Sequence, residues 1–495
     1  MTAKGLMTMT TLTVACCTAQ AGAWRTYEQT LTLAFETEAQ AREAALQALP
    51  LPVGKKVAFS TRWDDSAPPG EPKAEVLDEH GYRGTFYLNK VDQAYGDNVI
   101  RRLLELGGSA GAHTVTHPFL PRIDHNAMFQ EILANRIAIE SCGDACVSTF
   151  TLPYMVYESE TDPDMPRKIG ECLVRAGLHG GDEVWPDVAT RFKRSPKEWI
   201  GAFTFSIDDS NPTLGAFEEN VAKGLKAIAA NEYECGPHLS LGIHNWQPDL
   251  KKFGEIIATQ ANRQDWWYCN ANEYVAYRLQ MLNTGIAKKG VSGRTATFAI
   301  ARQFPFELGD RVALALRVST GAREAAVDGH SLKLSAAGEF TLPHAAERQL
   351  PSRIGAVHNE ANLAGEGALK ADPTLPGLQA ALHADLGRNE LICLLKNTSQ
   401  ESLGTMHLTF RLPLKWKTGV VKEDVAALKP GEMRSIVIAM GDVETDPVYE
   451  AGNCYLAVQC DYEDAVGPAR LHATTSAEKL ASPTVAANLV QESTP

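Results

Sequence analysis

The chain has 495 residues, which is too long for one ordinary hydrophobic core and predicts two or three domains. Hydrophobic residues make up 44% of it and charged residues 22%, values that exclude a disordered, collagen-like or small disulfide-framework protein. With 47 Lys and Arg against 60 Asp and Glu, the formal net charge is −13. This charge argues against a nucleic-acid partner, because phosphate binding depends on clustered Lys and Arg.

Residues 1–23 have the features of a signal peptide. They contain no acidic side chain, one early charge at Lys4, an apolar and threonine-rich stretch, and a final Ala-Gly-Ala with the small-x-small cleavage pattern. The apolar stretch is too short to span a bilayer in the mature chain. We therefore expect an exported protein, periplasmic or secreted, with a cytosolic N-terminus as the alternative. Lipid attachment at Cys16 or Cys17 is poorly supported by the residues before them.

Residues 24–54 form an N-terminal segment with a predicted strand at 30–35 and a predicted helix at 38–49, stopped by two prolines. From residue 55 to 284, short apolar runs alternate with helical stretches, as repeated β–α units require. The predicted strands are 57–59, 84–88, 111–113, 149–152, 202–207 and 239–243. The predicted helices are 73–80, 99–106, 128–141 and 216–230. This alternation predicts an α/β barrel or a doubly wound sheet.

The pattern changes near residue 285 to alternating, half-buried strands with Gly and Asp turns. We predict a small β-rich domain at 285–345, a linker at 346–375, a β-sandwich-like domain at 376–475 and a polar tail at 476–495. The β-rich C-terminal region could be a carbohydrate-binding module. Such regions are more often spacers or packing partners, and because no aromatic-rich face is visible in it we favour a spacer.

Ten cysteines, or eight after removal of a leader, are too few for a disulfide framework. Cys142 and Cys146 are four residues apart and are either a local disulfide or buried thiols. A bridge between Cys454 and Cys460, or from one of them to Cys393, is a further alternative. Spacing alone does not determine the connectivity.

Three polar motifs directly follow predicted strands. Asp64 and Asp65 come after the strand at 57–59, His113 and His117 after the strand ending at 113, and His244 after the strand at 239–243. Each has an ordinary alternative: an Asp-Asp turn, two solvated histidines and a packed histidine. In a β/α barrel, however, the loops after the strands converge on one face, where active sites are built. We therefore expect the three motifs to lie together.

Two imidazoles and one carboxylate form a three-ligand site for Zn²⁺ or a related divalent ion, with positions left for water and substrate. Such an ion lowers the pKa of water and polarises a carbonyl group. A second carboxylate can take the proton of the water, and a histidine opposite can protonate the leaving group. Adjacent aspartates in an extended segment point in different directions, so one can face the metal while its neighbour acts as the base. The motifs therefore predict metal-assisted hydrolysis of an amide or ester.

Residues 55–279 resemble the NodB-type polysaccharide deacetylases, the family-four carbohydrate esterases. The matching segments occur in the order of the family: 61–65 (TRWDD), 84–87 (GTFY), 111–118 (GAHTVTHP), 152–154 (LPY), 241–244 (LGIH) and 272–277 (NEYVAY). The His-x3-His segment is the most specific of them. The resemblance implies a distorted (β/α)7 barrel and an enzyme that removes acetyl groups from an N- or O-acetylated polysaccharide or oligosaccharide.

The resemblance also implies a role for individual residues. It implies metal binding by Asp65, His113 and His117, with zinc as the expected ion and cobalt or nickel as alternatives. It implies that Asp64 is the general base, that His244 is the general acid, and that the backbone N–H of Tyr154 donates to the developing oxyanion. Substrate contacts are expected from Pro153 and Trp246.

The chain departs from the family pattern at two places. Thr151 stands where the family has the arginine that orients the base, and we predict that Arg62, two residues before Asp64 and on the same side of an extended strand, replaces it. The aspartate that tunes the acid histidine has no clean match; Asp208 and Asp209 are candidates, with an ordinary turn as the alternative. Two other functions therefore remain open: hydrolysis of another non-peptide C–N bond, or glycan binding by a degenerate site.

Overall fold

The computed structural model describes residues 24–65, 70–91, 99–181, 192–206, 212–230, 236–244, 249–305, 312–343, 351–360, 364–444 and 454–477. The predicted leader and most of the predicted polar tail lie outside these ranges. Within them, none of the helices combines the length and the hydropathy that a membrane crossing requires.

The N-terminal segment comprises strand β1 (Trp24–Phe35), helix α1 (Glu38–Glu43) and strand β2 (Leu46–Ala48). The predicted helix at 38–49 is therefore correct only in its first half. Thr37 and Gln40 cap its start reciprocally. The chain then leaves the helix because β2 pairs with a strand at Leu314–Val318, a long-range contact that outweighs local helix propensity.

The α/β domain follows. Its elements are β3 (Val57–Asp64), α2 (Glu71–Glu79), β4 (Gly84–Leu88), α3 (Arg101–Glu105), β5 (Ser109–Ala112), α4 (His125–Gly143), α5 (Met165–Arg175), β6 (Phe203–Ser206), α6 (Leu214–Ala230), β7 (His238–His244), α7 (Leu250–Ala258), β8 (Trp266–Tyr268) and α8 (Ala271–Asn283). The strands are all parallel in the order β5-β4-β3-β7-β6, with β8 also paired to β3. The predicted α/β class is confirmed.

Single parallel bridges extend this sheet beyond β5. They join Ala112 to Phe150, Thr149 to Gly180, and Gly180 to Ile200, which lies three residues before β6. The pairing therefore runs from one edge strand of the sheet towards the other. A closed seven-stranded barrel stays a prediction, and these bridges are consistent with it.

The next region is a β domain that the N-terminal segment completes. It contains β9 (Gly285–Ser292), β10 (Thr295–Pro305), β11 (Leu314–Val318), β12 (Ala322–Val327), β13 (His330–Leu332) and β14 (Glu339–Leu342). Strand β1 lies between β12 and β10, and β2 lies beside β11. Leu31 and Leu33 of β1 are fully buried in the core of this domain. Residues 24–54 are therefore a structural part of the domain predicted at 285–345.

The C-terminal region consists of two sheets, in the orders β15-β23-β22-β19-β20 and β16-β17-β18-β21. Its strands are β15 (Arg353–Asn359), β16 (Lys370–Ala371), β17 (Leu378–Asp385), β18 (Glu390–Asn397), β19 (Met406–Arg411), β20 (Val420–Val425), β21 (Met433–Ala439), β22 (Cys454–Asp464) and β23 (Gly467–Ala477). The predicted β-rich character is confirmed. No disulfide joins any two of the seven cysteines in the described residues, Cys142, Cys146, Cys172, Cys269, Cys393, Cys454 and Cys460.

The predicted linker at 346–375 is wrong where it covers β15. This strand pairs in parallel with β23 along its whole length. The strand is hard to recognise from the sequence because Gly355 interrupts its alternation of apolar and polar residues. A Cβ atom at position 355 would lie 2.6 Å from the carboxyl carbon of Asp372. The Asp372 carboxylate occupies that space and accepts a hydrogen bond from the backbone N–H of Ala356 at 3.0 Å.

Buried charges join helix α4 of the α/β domain to the C-terminal sheet. Glu140 Oε1 accepts hydrogen bonds from Arg136 Nε at 3.1 Å and from the backbone N–H of Val147 at 2.9 Å. Glu140 Oε2 accepts from Arg470 Nη1 at 3.1 Å and lies 2.7 Å from His472 Nε2. Burial alone would raise the pKa of Glu140, but the two guanidinium groups hold it well below its usual range.

The apolar core of the α/β domain continues across the same contact through Leu414, Tyr455 and Ala457. The C-terminal region is thus packed on α4 and does not act as a spacer alone. A carboxylate buried this deeply must keep its cationic partners, because an isolated buried charge is very costly.

We predict that Glu140→Gln lowers the free energy of unfolding by about 3–5 kcal/mol at pH 7, because it removes the buried carboxylate paired with Arg136 and leaves Arg470 with Asp461 alone of its two carboxylate partners. Urea and thermal denaturation followed by circular dichroism measure this. The control is Glu105→Gln, which removes one exposed partner of Arg102 and should have little effect. Equal stability of the two variants would contradict the role of Glu140.

The same comparison should depend on pH. The folded-state pKa of Glu140 is depressed, so its contribution is fully present above the unfolded pKa of about 4.3 and is lost as the pH falls through the lower folded pKa. The stability difference between wild type and Glu140→Gln should therefore shrink below about pH 4. A difference that stays constant down to pH 3 would be inconsistent with an ionised Glu140.

Candidate metal centre

A buried ion pair lies at the carboxyl end of strand β3. The side chains of Arg62 and Asp64 lie on the same side of the extended strand, and they are only 5% and 8% exposed. Arg62 Nε donates to Asp64 Oδ1 at 2.8 Å, and Arg62 Nη2 donates to Asp64 Oδ2. This two-point contact fixes the plane of the carboxylate as well as its position.

The next residue, Asp65, turns away from its neighbour. Its φ angle is 70°, in the left-handed region that non-glycine residues rarely adopt, and its side chain is one-third exposed. Asn89, directly after β4, donates from Nδ2 to Asp65 Oδ1 at 3.0 Å. The two adjacent carboxylates therefore have different directions, partners and exposure.

His113 directly follows β5 and is held at two points, its backbone N–H and its ring Nδ1. Its backbone N–H donates to Asn135 Oδ1 at 2.8 Å, and Asn135 Nδ2 donates to the carbonyl of Leu88 at 3.0 Å. On the ring, Nδ1 lies 2.9 Å from the carbonyl oxygen of Thr151. A proton on Nδ1 donated to that carbonyl leaves the lone pair of Nε2 available to a metal ion.

His117 is placed by a strained loop. The φ angles are 66° at Thr114 and 61° at His117, and for the β-branched threonine this is an outlier. The backbone N–H of His117 donates to Thr114 Oγ1 at 3.1 Å. Glu131 of α4 accepts hydrogen bonds from the backbone N–H groups of Val115 and Thr116 at 2.8 Å each.

Three donor atoms converge at this end of the sheet. The Nε2 atoms of His113 and His117 are 3.0 Å apart and lie 3.6 and 3.5 Å from Asp65 Oδ1. Two imidazole nitrogens and one carboxylate oxygen are the donor set that divalent zinc, cobalt and nickel accept. It is the one cluster of this kind found within the described residues.

The protonation of the cluster suits a cation. The nearby His113 ring is the main cause that lowers the pKa of Asp65 to about 2, against the opposing effect of burial. Burial is the main cause that lowers the pKa of His117, which favours its neutral ring. Metal ligands must be deprotonated, and the directions of these two shifts favour the deprotonated forms of Asp65 and His117.

An exposed aromatic surface borders the cluster. Tyr154 is 54% exposed although it lies in a tight turn with a φ angle of 57°. Its ring stacks on Phe119 with the centroids 4.0 Å apart, and it meets the His117 ring edge-on at 4.5 Å. Pro153, before it, is buried in the same turn.

The backbone also places His244 at this end of the sheet, because it is the register partner of Asp64 in the parallel pair of β3 and β7. Its side chain, Trp246, Asp208 and Asp209 lie outside the described parts of the structure. The structure thus brings together Arg62, Asp64, Asp65, His113, His117, Pro153, Tyr154 and the backbone of His244.

Three polar residues at the site were not predicted from the sequence: Asn89, Glu131 and Asn135. Asn89 follows a predicted strand, so its strand-end position was a usable signal. Glu131 and Asn135 are four residues apart in a predicted helix and therefore share one face. Their partners are backbone groups of other elements, which no local pattern reveals.

The family comparison supports the resemblance drawn from the motifs. A sequence model of the family described as Polysaccharide deacetylase matches residues 52–167. This segment contains Arg62, Asp64, Asp65, His113 and His117. The predicted resemblance is confirmed for this segment. No curated protein matches the chain.

Similar solved structures include the Xyl-CE4 domain of a multidomain xylanase from the hindgut metagenome of Trinervitermes trinervoides, at 14% identity over 44% of this chain and 90% of that one, with a TM-score of 0.31. Another is the catalytic domain of a peptidoglycan N-acetylglucosamine deacetylase from Eubacterium rectale, at 15% identity over 46% and 92%, with a TM-score of 0.30. A third is a CE4 family pseudoenzyme from Bacillus anthracis, at 16% identity over 45% and 66%, with a TM-score of 0.29.

We predict that Asp65→Asn weakens zinc binding by more than the ~10–100-fold that loss of an outer partner costs, because it removes a ligand. Asp64→Asn should bind zinc nearly as tightly as wild type, because Asp64 is paired with Arg62 and is not one of the three residues of the candidate metal cluster. Isothermal titration of chelator-treated protein measures both affinities. The prediction is wrong if the two variants lose affinity equally.

Proposed function

We propose that the protein is a metal-dependent carbohydrate deacetylase that hydrolyses acetyl amide or ester bonds on a polysaccharide or oligosaccharide. The observation that carries the proposal is that two sites, a candidate metal cluster and a carboxylate held by an arginine, lie side by side at the end of β3. The donors of Asp65, His113 and His117 converge, while Asp64 beside them is held by Arg62. Both sites lie in the segment that matches the polysaccharide deacetylase family.

Asp65, His113 and His117 would hold the divalent ion, with zinc preferred and cobalt or nickel as alternatives. When bound there, the ion lowers the pKa of water and polarises the acetyl carbonyl. The hydrogen bond from Asn89 holds the Asp65 carboxylate in place. The contact between His113 Nδ1 and the Thr151 carbonyl keeps Nε2 directed at the ion.

Asp64 is the proposed general base, which takes the proton of the attacking water. Arg62 supports this role in place of the family arginine, whose position Thr151 occupies, because its two donors hold the carboxylate in one orientation. His244 is the proposed general acid for the leaving group, and its register with Asp64 supports that assignment. The backbone N–H of Tyr154 is the proposed donor to the oxyanion.

The substrate surface is proposed to include the exposed Tyr154 ring, Pro153 and Trp246. An aromatic ring that stacks on Phe119 and is still 54% exposed suits the apolar face of a sugar ring. Asp208 and Asp209 remain candidates for tuning the acid histidine.

Export through the leader at 1–23, to the periplasm or the medium, is part of the proposal. Cleavage after residue 23 would leave Trp24, the first residue of β1, whose pairing with Pro305 would be intact. Two alternatives remain, hydrolysis of another C–N bond and glycan binding without turnover. Thr151 favours the second, and the Arg62–Asp64 pair opposes it.

We predict that zinc-loaded protein releases acetate from at least one member of a panel of N-acetylated and O-acetylated polysaccharides and oligosaccharides. Asp64→Asn should lower kcat by about 10²–10⁴-fold while zinc remains bound, because it removes the base and not a ligand. Acetate is measured by a coupled assay. Zinc binding without release from any substrate would contradict the proposal and favour the alternatives.

We also predict that Arg62→Ala lowers kcat/KM by roughly 10–100-fold, with Arg62→Lys intermediate, because an ammonium group cannot reproduce the two-point contact. Zinc affinity should stay near that of wild type, which separates base orientation from metal binding. Arg42→Ala, at an exposed arginine paired with Glu38, is the matched control. Full activity of Arg62→Ala would refute the replacement of the family arginine.

A further inference from the structure

One side chain of helix α4 fixes the loop between the two histidines. Glu131 Oε2 accepts hydrogen bonds from the backbone N–H groups of Val115 and Thr116, each at 2.8 Å. Glu131 Oε1 accepts a third hydrogen bond from Thr116 Oγ1 at 2.9 Å. Three donors from two consecutive residues thus end on one carboxylate.

The loop needs such a partner, because its backbone is unfavourable on its own. Positive φ angles at Thr114 and His117 are unfavourable for residues other than glycine and persist only where the surroundings hold them. Hydrogen bonds to a charged acceptor are roughly twice as strong as neutral ones. A single carboxylate can therefore offset much of the cost of this conformation.

The same helix also holds the other histidine. Asn135, one turn after Glu131, accepts the backbone N–H of His113 and donates to the carbonyl of Leu88. Glu131 and Asn135 lie on one face of α4, since residues four apart in a helix are neighbours. Helix α4 therefore holds the backbone at His113 and in the loop before His117, so the spacing of the two histidines depends on one rigid element.

The far end of α4 is anchored in turn by the C-terminal sheet. Glu140 lies nine residues after Glu131, about 13 Å along the helix. Its carboxylate is buried between Arg136 of the helix and Arg470 and His472 of β23. The helix that carries Glu131 therefore has little freedom to shift.

We infer that Glu131 is a positioning residue for the metal centre, acting through the backbone of residues 115–116 to set His117 against His113. The inference rests on the proposed function only in that the two histidines bind a metal ion. Glu131 itself contacts neither ion nor substrate in this assignment. Its loss should change the geometry and affinity of the site without removing a ligand.

The test uses the full chain with three variants. Glu131→Ala removes all three acceptor contacts, and Glu131→Gln keeps an oxygen for the two backbone N–H groups. Gln130→Ala, at the exposed neighbouring position of the same helix, is the matched control. Zinc affinity by isothermal titration and the visible absorption spectrum of the Co²⁺-loaded protein are the readouts, with the melting temperature of the metal-free protein measured alongside.

Glu131→Ala should weaken zinc binding by about 10–100-fold and alter the Co²⁺ spectrum, while Glu131→Gln recovers most of the affinity. Zinc affinity and Co²⁺ spectrum of Glu131→Ala that match those of Gln130→Ala would overturn the inference. If Glu131→Ala does not fold, Thr116→Val removes one contact alone, and its unchanged affinity and spectrum would overturn it as well. Metal binding without acetate release would overturn the proposed function and leave this inference standing, whereas a wild type that binds no metal would overturn both.

Discussion

The buried carboxylate of Glu140 is the interaction on which the arrangement of the site depends. It receives hydrogen bonds from Arg136 within α4 and from Arg470 in the C-terminal sheet, so it fixes the helix against a second domain. Earlier in the same helix, Asn135 and Glu131 accept hydrogen bonds from the backbone N–H groups of His113 and Val115, in the segment that carries the two candidate histidine ligands. The β-rich C-terminal region is therefore a structural support of the α/β domain. A flexibly tethered module could not supply such a support.

The second constraint is the separation of two adjacent carboxylates. Asp64 ends an extended strand and is buried against Arg62, whereas Asp65 adopts a left-handed backbone conformation and faces the histidines. Identical side chains thus acquire different environments within one peptide unit. Such a division suits a base and a ligand, because each role needs an ionised carboxylate pointing in its own direction.

Local pattern was sufficient for strands β3 to β7 and for helices α2, α3, α4 and α6 of the α/β domain, but it did not predict α5, α7 or β8. The strand-end rule brought Asp65, His113 and His117 together correctly. Local pattern failed where distant chain segments decide the structure. The segment Leu46–Ala48 has a helical sequence pattern but forms a strand that pairs with β11. The alternating pattern of β15 is interrupted at Gly355, where the Asp372 side chain occupies the space of a Cβ atom. Arg62 was predictable from the period of two along an extended strand. Glu131 and Asn135 were not, because their partners are backbone groups that only the tertiary structure brings near.

A crystal structure of the zinc-loaded protein, with anomalous diffraction recorded at the zinc edge, tests the account most directly. The account predicts one strong anomalous peak about 2.0–2.2 Å from Nε2 of His113 and His117 and from a carboxylate oxygen of Asp65. Asp64 should remain on Arg62 and off the metal. A peak elsewhere, or zinc bound by Asp64 with Arg62 displaced, would contradict the assignment of ligand and base.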